Sequence, residues 1–436
     1  MLFYDSCKNR GLFLIYTSFY KYIKVNLHLQ SSTGKLSEHI KITGSKSESN
    51  RALLLQALYP SLKIDNVSNS DDSEVMQKGL KIINGEVDIH HAGTAMRFLT
   101  AFFATQEGRE VVLTGSKRMK ERPIRILVDA LRQLGAEIEY TENEGYPPLK
   151  ISGKRISKNK VSMAANVSSQ YISALLLVAP TLDSGLHLSL EGKITSVPYM
   201  KMTLALLDHI GAETIFEGNE ITVKPFHTEL SRAEFVVESD WSSASYFYSV
   251  AALSEVGTKI KLSSYKENSL QGDSVLAEVY KDFGVITQYE GENIILEKTE
   301  EIDLNKVIEI DLSDAPDIAQ TISVTAFGLG IACSLSGLHT LKIKETDRLE
   351  ALKTELGKLG ASIEVTDKEL YLKSSSSMNK DVAIDTYNDH RMAMAFAPLA
   401  LRTSIIINDA GVVSKSYPDF WTDMKKLAFK IKEIEG

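Results

Sequence analysis

With 436 residues, 43% of them apolar and 24% charged, the chain is ordinary globular material, long enough to fill two or three domain cores. A net charge of -8 and a pI of about 5.7 argue against nucleic acid or an anionic membrane as the main partner. Only two cysteines are present, Cys7 and Cys333, which leaves neither a disulfide framework nor a CxxC metal site and makes the reducing cytoplasm the expected location.

Residues 1 to about 22 include a short apolar run, Gly11–Tyr20, that is too short to span a bilayer and has no cleavage motif after it. It is read as a dispensable extension. From there the predicted helices share an oddity. Arg51 stands just ahead of Ala52–Leu58, and Arg97 ahead of Phe98–Phe103. Arg122 stands ahead of Ile124–Leu134, Arg348 ahead of Leu349–Leu359, and Arg391 ahead of Met392–Leu401. A helix N-terminus is partially positive and carries unpaired N–H groups, so a cation there has the wrong sign for stability. Five such misfits predict a strongly anionic ligand among these helix starts, and in an acidic protein a generally basic surface does not explain them. Repulsion among the cations is expected to hold the surrounding parts of the protein apart until anions bind.

A repeat sets the architecture. Gly135, Gly211, Gly284 and Gly360 each follow a run with helical apolar spacing and precede an alternating strand, at separations of 76, 73 and 76 residues. A second strand follows each one, near Leu149, Ile221, Ile294 and Leu370. Degenerate copies around Gly79–Gly85 and Phe420–Ile431 bring the expected number of units to six, arranged as two domains of three. The small-polar stretch Glu238–Ser245 is the natural break between periodic blocks.

Several segments carry candidate chemistry. Gly44-Ser-Lys-Ser47 offers hydroxyls, N–H groups and one lysine to an oxyanion, or is simply a turn and a helix cap. In Lys344–Arg348, a capping box between Asp347 and Glu350 leaves Lys344 and Glu345 just outside a helix. Ala165–Gln170 and Thr195–Tyr199 are helix starts rich in hydroxyl and amide groups. Asp317, at the mouth of the apolar run Ile318–Ile331, is either a cap or a general base. His390 reads as structural, because no serine or cysteine nucleophile stands near it. His90 and His91 form no metal-binding pattern, so neither a metal nor a cofactor is expected.

Seven stretches, taken in order, resemble the 5-enolpyruvylshikimate-3-phosphate synthase family of enolpyruvyl transferases: Gly44–Leu55, Ala92–Arg97, Arg118–Ile124, Val167–Gln170, Lys344–Leu349, Tyr387–Met394 and Lys415–Asp419. The resemblance runs from about Ile42 to Phe420. It implies an α/β fold of two domains, each with three βαβαββ-type units, and an active site in the interdomain cleft. Residues 44–239 would form one domain, and residues 23–43 with 240–436 the other. It implies transfer of the enolpyruvyl group of phosphoenolpyruvate to shikimate 3-phosphate, by a protein expected to be a monomer. Shikimate 3-phosphate would be held by Lys46, Ser47, Arg51, Ser168, Ser169, Gln170, Ser196, Tyr199, Asp317 and Lys344. Phosphoenolpyruvate would be held by Lys46, Gly93, Arg122, Gln170, Arg348, Arg391 and Lys415. Asp317 is the candidate base and Glu345 the candidate proton donor to C3, with Lys415 as its competitor.

The chain departs from the family pattern at His91, where asparagine is usual, at Phe98, where proline is common, and at Thr340, where asparagine is common. Enolpyruvyl transfer to a UDP-sugar is the nearest alternative. That relative carries a reactive loop cysteine, and Arg118–Arg122 has none. A non-catalytic binder of phosphorylated metabolites would keep the cations yet need neither Asp317 nor Glu345.

Overall fold

The computed structural model describes residues 25–31, 34–165, 168–192, 194, 197–228, 230 and 234–435. The N-terminal extension, Cys7 and Ser196 lie outside the described residues. Buried apolar side chains form two separate clusters. One runs from Leu53 to Val223, and the other joins Leu27–Ile42 to Trp241–Phe429. Each fully buried leucine in them contributes roughly 1.5–3 kcal/mol.

The repeat is visible in the sheets. The strand Asn84–Asp88 lies parallel to Glu110–Thr114, which lies antiparallel to Leu149–Ser152, itself hairpin-paired with Glu137–Tyr140. The helix Gly93–Ala104 links the first two strands, and Arg125–Leu134 links the second to the hairpin. Five four-stranded sheets are present among the described residues, four of them following this plan on a single hairpin. The fifth borrows a strand: Asn26–Ser31 inserts between Ile405–Ile407 and Phe429–Ile434. The sixth unit is reduced to two parallel strands, Lys63–Asp65 and Glu234–Val236, with the helices Lys46–Leu58 and Asp71–Leu80.

The helix Arg125–Leu134 buries Leu127, Val128, Ala130, Leu131 and Leu134, an amphipathic stripe at helical spacing. It stops at Gly135, whose φ of 105° belongs to the left-handed region that glycine enters freely. The corresponding helix before Gly284 is mostly 3-10 rather than the expected α-helix. Three-residue spacing places Tyr280 and Phe283 on one face, with ring centroids 5.0 Å apart.

The helices that start at Gly93, Trp241 and Ala319 are buried on nearly every side and form the interior of their halves. Several of their polar side chains pair with one another there, as in Ser245 with Thr321 at 2.9 Å and Thr325 with Ser249 at 2.8 Å.

The chain passes between the two cores twice, near residues 40–46 and 236–241. The passages touch: Ser45 N donates to the Glu238 carbonyl at 2.7 Å, and Ser239 Oγ donates to the Ile42 carbonyl at 2.6 Å. A β-carbon on Gly44 would overlap the Asn66 carbonyl oxygen, so this glycine serves close backbone approach. Ser45 caps the following helix by accepting from Glu48 N.

Candidate active site

The predicted residues converge from both halves. Arg348 and Arg391 lie at the first and second residues of their helices, Arg348–Lys358 and His390–Phe396, as expected. Each start is capped by an aspartate, Asp347 or Asp389. Arg348 is only 2% exposed and is wrapped by three carboxylates: Asp317 at 2.8 Å, Glu345 at 2.9 Å and Asp389 at 2.7 Å. Arg391 reaches Asp317 Oδ2 at 3.4 Å, the Asp317 carbonyl at 3.3 Å and Ser242 Oγ at 3.2 Å. Lys344 Nζ lies 3.1 Å from Asp317 Oδ1.

Asp317 therefore caps no helix, since its carboxylate is the hub of three cations. Burial alone would raise its pKa, but Lys344, Arg391 and Arg348 outweigh burial and hold the carboxyl far below the usual range. Glu345 follows the same logic. Burial pushes it up, while Arg348, Arg122, His390 and Lys46 hold it well below its ordinary value. Lys415, 4% exposed, donates to both the carbonyl and Oδ1 of Asn388 at 2.7 Å. Burial lowers its pKa, against the pull of Glu345, Asp389, Asp72 and Asp409.

From the other half, Lys46 Nζ sits 3.5 Å from the buried carboxylate of Asp72, which also lies 3.7 Å from His91 Nε2. Burial and the charge of Lys415 depress the His91 pKa to about 3, so this imidazole is neutral at physiological pH. The helix at Gly93 starts without a capping side chain, leaving its first N–H groups free of side-chain partners. A β-carbon on Gly93 would come within 2.5 Å of the Arg122 guanidinium. Arg122 is thus stacked over an uncapped helix start, which is anion-binding geometry. Gln170 Nε2 donates to Thr94 Oγ1 at 3.2 Å on that same helix. Ser168 caps its own helix, Ser169 is buried, and the Tyr199 phenol is held well above its usual pKa by burial and by Asp273 and Asp317 across the cleft.

Two of the five arginines are placed differently from expectation. Arg97 is not ahead of its helix: the helix begins at Gly93, and the Arg97 guanidinium is buried, donating to the Gly93 and Pro123 carbonyls over the Tyr171 ring. Arg51 lies inside the helix Lys46–Leu58. It donates to the Ser47 carbonyl, Thr203 Oγ1, Ser173 Oγ and, more weakly, the Tyr199 carbonyl. Among the described residues neither has a carboxylate partner within salt-bridge distance, and burial lowers each to about 10.

The halves meet at Asp71 with Ser414 (2.7 Å), Asn69 with Asp419 (2.9 Å) and Arg118 with the Lys344 carbonyl (3.4 Å). The expected repulsion among cations is offset within the protein, because Asp317, Glu345, Asp389 and Asp72 stand between them. Sequence reasoning missed Asp72, Asn388 and Asp389. Asp389 was legible as the residue before His390-Arg391, in the position of a helix cap.

Residues 83–424 match the family model for EPSP synthase (3-phosphoshikimate 1-carboxyvinyltransferase). The chain is 44% identical over 412 residues to the 3-phosphoshikimate 1-carboxyvinyltransferase of Bacteroides fragilis (strain YCH46), covering 93% of this chain and 98% of that protein. It is 37% identical over 423 residues to the enzyme of the same name from Haemophilus influenzae, covering 90% and 96%. The fold is similar to that of EPSP synthase from Acinetobacter baumannii, with a TM-score of 0.76 at 19% identity, over 94% of this chain and 100% of that one.

Proposed function

Since the chain belongs to the EPSP synthase family, we propose that it transfers the enolpyruvyl group of phosphoenolpyruvate to the 5-hydroxyl of shikimate 3-phosphate, releasing inorganic phosphate. The observation that carries this is the convergence of Lys46 and Arg122 from one half with Lys344, Arg348, Arg391 and Lys415 from the other around the carboxylates Asp317 and Glu345. Two substrates that each bring phosphate and carboxylate match this charge. Residues 44–239 act as one domain and residues 23–43 with 240–436 as the other, in a cytoplasmic monomer. Among the described residues no helix is long and apolar enough to cross a membrane.

The hydroxyl oxygen attacks C2 of phosphoenolpyruvate while C3 takes up a proton, giving a tetrahedral intermediate. That intermediate loses phosphate and returns the C3 proton. Asp317 accepts the hydroxyl proton. Its three cations make it a weak base on their own, but substrate anions that draw Arg348, Arg391 and Lys344 toward themselves raise its basicity. For the proton to C3, the balance favours Lys415 over Glu345. Glu345 is held ionised and has no proton to give, whereas burial makes the Lys415 ammonium a stronger acid. Glu345 then serves as the counter-anion that keeps Arg348 in place.

Lys46 and Lys344 are assigned to shikimate 3-phosphate together with Ser47, Arg51, Ser168, Ser169, Gln170, Ser196 and Tyr199. Lys46, Arg122, Gln170, Arg348, Arg391, Lys415 and the helix start at Gly93 are assigned to phosphoenolpyruvate. A cysteine-based transfer to a UDP-sugar is disfavoured. Cys333 is 1% exposed in a core strand, and burial pushes its thiol up to about 12.

Phosphate release measured with both substrates, and with each omitted, tests the proposal. Release that requires both supports it. Release with a UDP-sugar in place of shikimate 3-phosphate, or tight binding of both substrates without release, overturns it.

A further inference from the structure

We infer that Glu355 is a positioning residue for Lys415, acting through the turn Tyr387-Asn388. The inference rests on the proposal that Lys415 handles the C3 proton.

Lys415 owes its place to that turn, since its ammonium donates to both the carbonyl and the Oδ1 of Asn388. The turn is not a relaxed one. Tyr387 and Asn388 have φ values of 51° and 57°, both in the left-handed region, which a tyrosine enters at a cost and keeps only when its surroundings impose it. Packing does not impose it. Tyr387 is 39% exposed, and the turn borders a cavity of about 660 Å³ shared with Asn26, His90, Asp385 and Asp409.

Polar contacts do. Glu355 is fully buried on the inner face of the helix Arg348–Lys358. Its Oε1 accepts from the Tyr387 hydroxyl at 2.6 Å, and its Oε2 accepts from Asp385 N at 3.0 Å and from Lys358 Nζ at 2.8 Å. At the other end of the loop, Asp389 grips Arg348 at the start of the same helix. One helix therefore clamps the 385–389 segment at both ends. The Arg348 end belongs to the site already described, while the Glu355 end aims the two Asn388 oxygens at Lys415.

Hydrogen-bond acceptors fixed on an ammonium favour its charged form, so loosening the turn should make Lys415 lose its proton more readily. The other groups that act on Lys415 include Glu345, Asp389, Asp409, Asp72 of the opposite half and His91; Asp389 shares the loop but is held at its own end by Arg348.

The test uses the full chain and the phosphate-release assay. Tyr387→Phe removes only the hydroxyl of a partly exposed side chain, and Glu355→Gln removes the charge. Each is expected to lower kcat by about tenfold, with KM for shikimate 3-phosphate unchanged. The alkaline limb of kcat should move down by about half a pH unit to one unit. In a Lys415→Ala background, Tyr387→Phe should cost nothing further. Wild-type kcat and an unmoved alkaline limb in Tyr387→Phe, with Lys415→Ala inactive, overturns the role of Glu355 alone. Full turnover in Lys415→Ala overturns the role of Lys415 and with it this inference. A lowered Tm with unchanged kinetics in both variants means that Glu355 is structural only.

Discussion

The two halves of the cleft hold their buried arginines in opposite ways. Arg51 and Arg97, on the half whose core runs from Leu53 to Val223, are bound by hydroxyls and carbonyls, and burial depresses both to about 10. Arg348 and Arg391 are bound by carboxylates, which overcome burial and raise both. Neutral partners leave a cation's charge unspent, so the first half presents a standing positive field. Carboxylate partners cancel the charge until another anion competes for it, so the second half holds charge in reserve. A site of this kind attracts anions with one wall and responds to them with the other.

The largest expected effect comes from the hub of the compensated wall. Asp317→Asn should lower kcat by about a thousandfold while binding of shikimate 3-phosphate, followed by calorimetry, changes less than tenfold. A kcat within tenfold of wild type would remove Asp317 as the base and leave it only as a counter-anion.

Next, substitution of one arginine on each wall should separate binding from stability. Arg348→Lys cannot satisfy three carboxylates with one compact ammonium, and KM for phosphoenolpyruvate should rise about a hundredfold. Arg97→Met should instead cost about 2–3 kcal/mol of stability in denaturant melts, because the Gly93 and Pro123 carbonyls each lose a charged donor, Pro123 keeping only that of the Tyr171 hydroxyl, with a KM change of only a few fold. The reverse pattern would erase the distinction between the walls.

The smallest effect concerns an acid on the same wall as Arg51. Glu48 is buried beside the inter-core crossing, and burial raises its pKa from 4.5 to about 7, outweighing the hydrogen bond from Glu238 N. Between those values the unfolded chain has released this proton while the folded chain keeps it, so stability falls as pH rises through the window. Glu48→Gln removes the dependence. The variant should gain roughly 2–3 kcal/mol over wild type above pH 7 and little below pH 4.5. Equal stabilities at both ends of the range would mean that Glu48 is ionised in the fold.

Much of this was legible in the sequence where local chemistry and position coincide. Gly135, Gly211, Gly284 and Gly360 mark the same point in each unit, the passage from helix to hairpin, because a left-handed residue after a helix favours glycine. Arg348 was placed by the capping box that Asp347 opens, and Arg391 by the apolar run that follows it. Arg97 was misplaced because the true helix start, at Ala92-Gly93, has no capping side chain to announce it. The carboxylates Asp72 and Glu355 went unnoticed for another reason: their partners, Lys46 and Tyr387, lie 26 and 32 positions away, and no local pattern joins them; the grip of Asp389 on Arg348, 41 positions away, was hidden in the same way. The reduced sixth unit was expected around Gly79–Gly85, but its strand pairing was not legible because its two strands sit at opposite ends of one half.

The borrowed strand of the fifth sheet has a consequence for biosynthesis. Asn26–Ser31 emerges from the ribosome before the other half, and its partners Ile405–Ile407 and Phe429–Ile434 emerge only after that half. The half that begins first therefore finishes last, while the half between the two crossings can collapse as it is translated. During that interval Leu27 and Leu29, both buried in the finished protein, wait without a sheet to cover them.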